Sequence, residues 1–220
     1  GKPGVATPGP WSPIVDALPK DAPTAAEVLD LTEKVDADGR LQWEAPEGRL
    51  LVLHMACVVM EDRMEDVDVL NVKAVQSHFD RMGRVLIADA GPLVGKTLTH
   101  FYNVSWEGET PSWTPGFERD FLKFRGYDMQ PYLPALAGIR VVDETTTTRF
   151  LRDYALTISD CFKENCYNRF DILCREAGLQ WHSESGGPWR PALLFREADQ
   201  LAFWGRNAMP QGEFWVPNYR

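Results

Sequence analysis

Residues 149–184 read "RFLRDYALTISDCFKENCYNRFDILCREAGLQWHSE". Phe150, Tyr154, Ile158, Phe162, Phe170 and Leu173 recur at helical spacing, and Gly178 follows them as a stop, so the spacing predicts a helix over about 147–177. The stretch "LQWHSE" then alternates with a period of two, which puts Gln180, His182 and Glu184 on one face of a short strand ahead of a glycine-rich loop. A long amphipathic helix handing over to a strand is half of a βα unit and calls for another half.

That half lies upstream. "TLTHFYNV", beginning at Thr97, is a second apolar, β-prone run, and a strand over 97–107 would place Asn103, Ser105 and Glu107 on one face and Tyr102, Val104 and Trp106 on the other. Before it, Asn71 is a plausible N-cap for an amphipathic helix carrying Val75, His78, Phe79 and Met82, with Gly83 as its stop. After it, Thr114-Pro115 reads as an N-cap with proline at the first helical position, Phe117, Phe121 and Phe124 line one face, and Gly126 ends that helix. Further towards the N-terminus, turn signals at Asp38-Gly39 and Glu47-Gly48 separate short β-prone runs, which suggests a hairpin. The nearly continuous apolar run Leu50 to Val59 reads as a strand buried on both faces. Residues 1–26, rich in Pro, Ala and Gly, form a lead-in, and 27–220 a single domain.

Strands alternating with helices imply an α/β fold with a parallel sheet: first a (β/α) barrel of TIM type, second an open doubly wound sheet. Roughly four strands are countable, about half of the eight in a complete barrel, so the barrel is expected to be partial.

Composition narrows the function. Of 220 residues 44% are apolar and 25% charged, ordinary for a globular chain, and the net charge of -9 without a Lys/Arg cluster excludes a nucleic-acid surface. Cys161, Cys166 and Cys174 follow the helical pattern and read as core thiols; with Cys57 they make no disulfide framework, and they lack the CxxC pairs and His partners of a zinc site. No run is long enough for a membrane span and no signal peptide is visible. "AGPLVGKT" at 90–97 imitates a phosphate loop, but three residues separate Gly91 from Gly95 where the cradle needs four. "NVS" at 103–105 fits a glycosylation sequon inside a strand, where sequons do not belong, and His78 sits on the apolar face of its helix as a packed histidine.

The strand ends carry the chemistry. Glu107 beside Trp106 and Trp113, Glu184 beside His182, and Glu213 beside Trp215 each close an apolar run, and in βα architectures active sites gather at the C-terminal ends of strands. Carboxylates in an aromatic-lined pocket suit glycoside hydrolysis, in which one carboxylic acid protonates the leaving oxygen and a second carboxylate handles water or the anomeric carbon. Tryptophans would stack on sugar faces and keep the pocket dry, which raises the pKa of a neighbouring Glu. The same oxygens could hold calcium.

The stretches "NVSWEGETPSWTPGFERDFLKFRGYDMQPYLPALAG", "RFLRDYALTISDCFKENCYNRFDILCREAGLQWHSESGG" and "GEFW", with "VLDLTEKVDADGRLQWEAPEGRLLVL" and "DVLNVKAVQSHFDRMG" upstream, resemble the catalytic region of glycoside hydrolase family 106, the α-L-rhamnosidases. The resemblance runs over most of residues 26–215. It implies a calcium-dependent, inverting enzyme on a (β/α) barrel that removes terminal α-L-rhamnose from plant glycans in a periplasmic or extracellular setting. By motif position Glu107 is then the general acid and Glu213 the base; Glu184 competes for the second role and is otherwise a substrate or calcium contact. Trp106, Trp113, Tyr127, Asp128, His182 and Trp215 would line the pocket. The family pattern has an acidic residue before the Ser of "SWE", where this chain has Val104, and family enzymes are several times longer. An inactive or truncated carbohydrate-binding relative, or a glycosidase for another sugar, is therefore the alternative.

Overall fold

The structure, a computed structural model, describes residues 22–48, 50–57, 67–104, 111–184 and 199–211. The chain divides into two compact units, Glu61–Asp120 with Ala155–Arg220 and Gly1–Met60 with Phe121–Tyr154.

The first unit holds the sheet. Strands β1 (His100–Asn103), β2 (Gln180–Ser183) and β3 (Met209–Pro210) are parallel in the order β1-β2-β3, with Phe101 opposite Trp181, Tyr102 opposite His182 and Ser183 opposite Pro210. Parallel neighbours need long crossovers, and helices supply them. The expected α/β class with a parallel sheet is what the chain forms; the described residues contribute three short strands rather than four.

Helix α1 (Val72–His78) starts at Asn71, whose side chain accepts from the Lys73 amide as the sequence predicts. It does not stop at Gly83. A π turn (Phe79–Gly83) carries the chain into α2 (Arg84–Ala90), and Gly83 keeps helical φ/ψ of −61° and −46°. Gly83 is there for room: a Cβ on it would lie 3.1 Å from the Phe79 ring and 3.2 Å from Phe101 of β1. Phe79 is buried against Phe101 and Phe170 and has nowhere to go. Gly83→Val is therefore expected to destabilise the chain by about 3 kcal/mol through overpacking. Gly83→Ala should cost less, because alanine recovers about 1 kcal/mol of helix propensity. A fall in the urea midpoint at constant m-value measures both, and a wild-type midpoint for the valine variant would refute the close-packing account.

The helical run that crosses from β1 to β2 is longer. The helix predicted over 147–177 runs from Glu144 to Glu176, but as α4 (Glu144–Cys161), a π turn (Phe162–Tyr167) and α5 (Asn168–Glu176). Cys161, Cys166 and Cys174 are buried free thiols, and desolvation pushes Cys166 and Cys174 up to about 12. Gly178 in the left-handed region ends the run, the Leu179 amide returns to the Cys174 carbonyl at 2.8 Å, and β2 begins at Gln180. Phe79, Leu173, Cys174, Leu179 and Trp181 form the core beneath the sheet, with Phe101 and Phe170 packed on it; the Phe170 and Trp181 rings stack at 4.7 Å and 8°. His78 sets its ring edge-on to Phe170, the packed role expected of it. The stretch resembling a phosphate loop is a 3-10 turn (Gly91–Leu93) and a tight bend closed by the Val94–Leu98 bridge, following a helix rather than a strand.

Helix α3 (Phe117–Arg125) begins at Phe117, not Pro115; the Thr114 hydroxyl donates to Asp68 at 2.7 Å, and Gly116 takes φ +86° ahead of the first turn. Phe117 and Phe121 are fully buried and Gly126 ends the helix with φ +82°, as read from the sequence. In the second unit Phe121, Tyr127, Tyr132, Phe150 and Tyr154 form a chain of ring contacts, with Met129, Leu136 and Val141 also buried. The hairpin at Asp38-Gly39 exists as a turn held by Asp36, with a single antiparallel bridge between Val35 and Leu41.

The run expected to be a doubly buried strand is a clear departure. Its described part, 50–57, has no regular structure, and Leu50, Leu51, Val52, Leu53 and Met55 are 37–67% exposed. Such a strand is buried only when other strands flank it and helices cover it. Among the described residues no strand pairs with it.

Candidate active site at the ends of the parallel strands

Period-two alternation gives the sheet two chemically different faces. Phe101 and Trp181 point into the helix-packed core, so their neighbours His100, Tyr102, Gln180 and His182 line the other face. There His100 Nε2 shares a hydrogen bond with Gln180 Oε1 at 2.8 Å, and the His182 ring centre is 4.9 Å from Tyr102 and 6.4 Å from His100. His182 Nε2 is buried and makes no hydrogen bond among the described residues.

Glu184 follows directly on β2 and is only 7% exposed. The Tyr102 hydroxyl donates to its Oε1. Its backbone is held from two sides: its amide donates to the Asn103 carbonyl at 3.3 Å, and its carbonyl accepts from Trp204 Nε1 at 3.1 Å. Trp204 lies on α6 (Gln200–Trp204), which Asp199 caps through the Ala202 amide. Past it, Asn207 Nδ2 donates to the Ser183 carbonyl at 3.0 Å and the Ala208 amide to the Trp181 carbonyl at 3.0 Å. A carboxylate is thereby fixed at the C-terminal end of adjacent parallel strands, where βα folds carry their sites.

Of the residues picked from the sequence, His182 and Glu184 come together here. Trp113 is half-buried, its ring 5.4 Å from Phe117. Tyr127 and Asp128 belong to the other unit. Tyr127 donates to Asp153 at 3.0 Å, and burial, reinforced by that hydrogen bond, holds its phenol well above the ordinary value. Asp128 accepts from the Gln130 amide at 3.0 Å, at the head of the 3-10 helix Gln130–Ala137. Trp106, Glu107, Glu213 and Trp215 lie outside the described residues.

The sequence reading places Tyr102 on the face opposite Asn103, Ser105 and Glu107 and gives it no role in the pocket. Strand β1 ends at Asn103, and it is Tyr102 that shares the face of His182 and Glu184. The signal was present as matched polar alternation, His100 and Tyr102 in one strand, Gln180 and His182 in the other. Trp204 and Asn207 left no such trace, since they act on main-chain carbonyls from a helix end and a turn.

Among the described residues no three His, Cys, Asp or Glu side chains gather as a metal site, and no helix is long and apolar enough to cross a membrane. Glu184 offers one carboxylate, where calcium takes six to eight oxygens.

A putative beta-glucuronidase of Formosa agariphila is 30% identical over 202 residues, covering 88% of this chain and 17% of the relative. The solved rhamnosidase of Novosphingobium sp. PP1Y superposes with a TM-score of 0.70 at 28% identity, covering 84% of this chain and 18% of that one. The chain thus spans less than a fifth of either relative. The alpha-L-rhamnosidase profile, glycoside hydrolase family 106, matches residues 11–220, and the chain belongs to that family.

Proposed function

We propose that the polypeptide carrying this chain is a glycoside hydrolase that removes terminal α-L-rhamnose from plant glycans with inversion. The observation that carries the reading is Glu184, a buried carboxylate fixed at the end of β2 in a chain of this family. Residues 27–220 would contribute part of a (β/α) barrel behind a lead-in of 1–26, and the setting would be periplasmic or extracellular.

In this scheme Glu107, protonated, gives its proton to the glycosidic oxygen as the bond to the anomeric carbon breaks. Glu213 takes a proton from the water that attacks that carbon from the opposite face. The acid ends ionised and the base protonated, and exchange with solvent resets both. Room for the water calls for a separation of roughly 6.5–9.5 Å between the two carboxyl groups. Glu184 accepts a sugar hydroxyl, and replaces Glu213 as the base should that separation fail. His182 stands beside Glu184 in the wall, and Trp106, Trp113 and Trp215 complete it. Calcium is proposed as the bound ion, with Glu184 its ligand in the alternative to the sugar contact.

The relative named a putative beta-glucuronidase favours a second reading, the same machinery set for another sugar. Aryl α-L-rhamnoside and aryl β-glucuronide, each with calcium and with a chelator, separate the two. Calcium-dependent release from the rhamnoside alone is expected. Release from the glucuronide alone would transfer the assignment to the second reading.

A further inference from the structure

We propose that Tyr102 is the positioning residue of this site, holding the Glu184 carboxylate in the one rotamer that meets substrate. The inference rests on the reading of Glu184 as a substrate contact. Three observations carry it.

First, the Glu184 backbone is fixed by Asn103 and Trp204, and the Tyr102 hydroxyl is bonded to the carboxylate itself. Second, Tyr102 is held in turn: the β1–β2 register sets it opposite His182, and the two rings lie 4.9 Å apart, tilted by 52°. Third, Tyr102 is 47% exposed while Phe101 beside it faces the core, so packing alone does not explain a tyrosine there. A phenol is rigid up to its oxygen, and such a donor orders a flexible Glu at little entropic cost of its own.

The test is a double-mutant cycle on the complete polypeptide, read as kcat and KM on an aryl α-L-rhamnoside. Tyr102→Phe removes one oxygen and keeps the ring. It is expected to lower kcat/KM about tenfold, the weight of a hydrogen bond to a charged group, with most of the loss in KM. In a Glu184→Gln background the same change should cost less than about twofold, because the two residues act as one unit. Glu184→Asp, which keeps the charge but falls short of the phenol, should reproduce the KM loss. Thermal unfolding of each variant separates a misfolded chain from a mispositioned carboxylate. A loss that is equal in both backgrounds, or no loss in Tyr102→Phe while Glu184→Gln is impaired, would overturn the positioning role and leave Glu184 in the site. A silent Glu184→Gln would overturn both.

Discussion

In the complete polypeptide, Glu107→Gln is expected to lower kcat on an unactivated rhamnoside by about 10²–10⁴-fold, the usual contribution of a positioned general acid. The size of that loss should depend on the leaving group, and this gives the experiment its resolving power. An alkoxide leaves badly unless it is protonated as the bond breaks, whereas a dinitrophenolate leaves without help. Glu107→Gln should therefore be crippled on alkyl rhamnosides and recover much of its rate on the dinitrophenyl substrate. Glu213→Gln should show no such recovery, because activating the attacking water is needed whatever group departs. If both variants fall equally on both substrates, Glu107 is not the acid. If Glu213→Gln keeps its rate while Glu184→Gln loses it, the base lies at the end of β2. Amides replace the carboxylates at nearly constant volume, so unchanged thermal unfolding keeps these results on the chemistry.

How far the sequence reveals this arrangement depends on whether a signal is local. The helix ending at Gly178 and the strand after it were legible because a 3.6-residue period gives way to a 2-residue period at a residue that takes φ +74°. Asn71 was legible as a cap because its partner is the Lys73 amide, two residues away. The failures are non-local. Gly83 reads as a stop on one helix, but its reason is the Phe101 ring on a strand almost twenty residues further on. Leu50 to Cys57 has the composition of a buried strand, and burial depends on strands that the described residues do not supply. Glu184 and His182 were legible as one face of a strand by parity within it. That Tyr102 faces them was not, because it depends on pairing between strands 80 residues apart, which sets Tyr102 opposite His182.

The second large effect is on the fold beneath the site. Trp181 is 3% exposed, stacked on Phe170, and alternates with His182, so it anchors in the core the strand whose other face carries the candidate chemistry. Trp181→Ala is expected to cost about 3–5 kcal/mol, the range for truncating a large buried aromatic. Trp181→Phe should behave differently. Its Nε1 has no hydrogen-bond partner among the described residues, and a buried donor left unmade costs about 1–3 kcal/mol. Phenylalanine removes that donor while losing only part of the ring, and the two effects oppose one another, so stability should stay within about 1 kcal/mol of wild type by the same reckoning. Urea unfolding of the two variants reads this directly. A phenylalanine variant as damaged as the alanine one would mean that the indole N–H is satisfied and is itself part of what holds β2. Equal, small losses in both would mean that the core beneath Glu184 does not depend on this ring, and that the bonds from Trp204 to the Glu184 carbonyl and from Tyr102 to its carboxylate hold the residue instead.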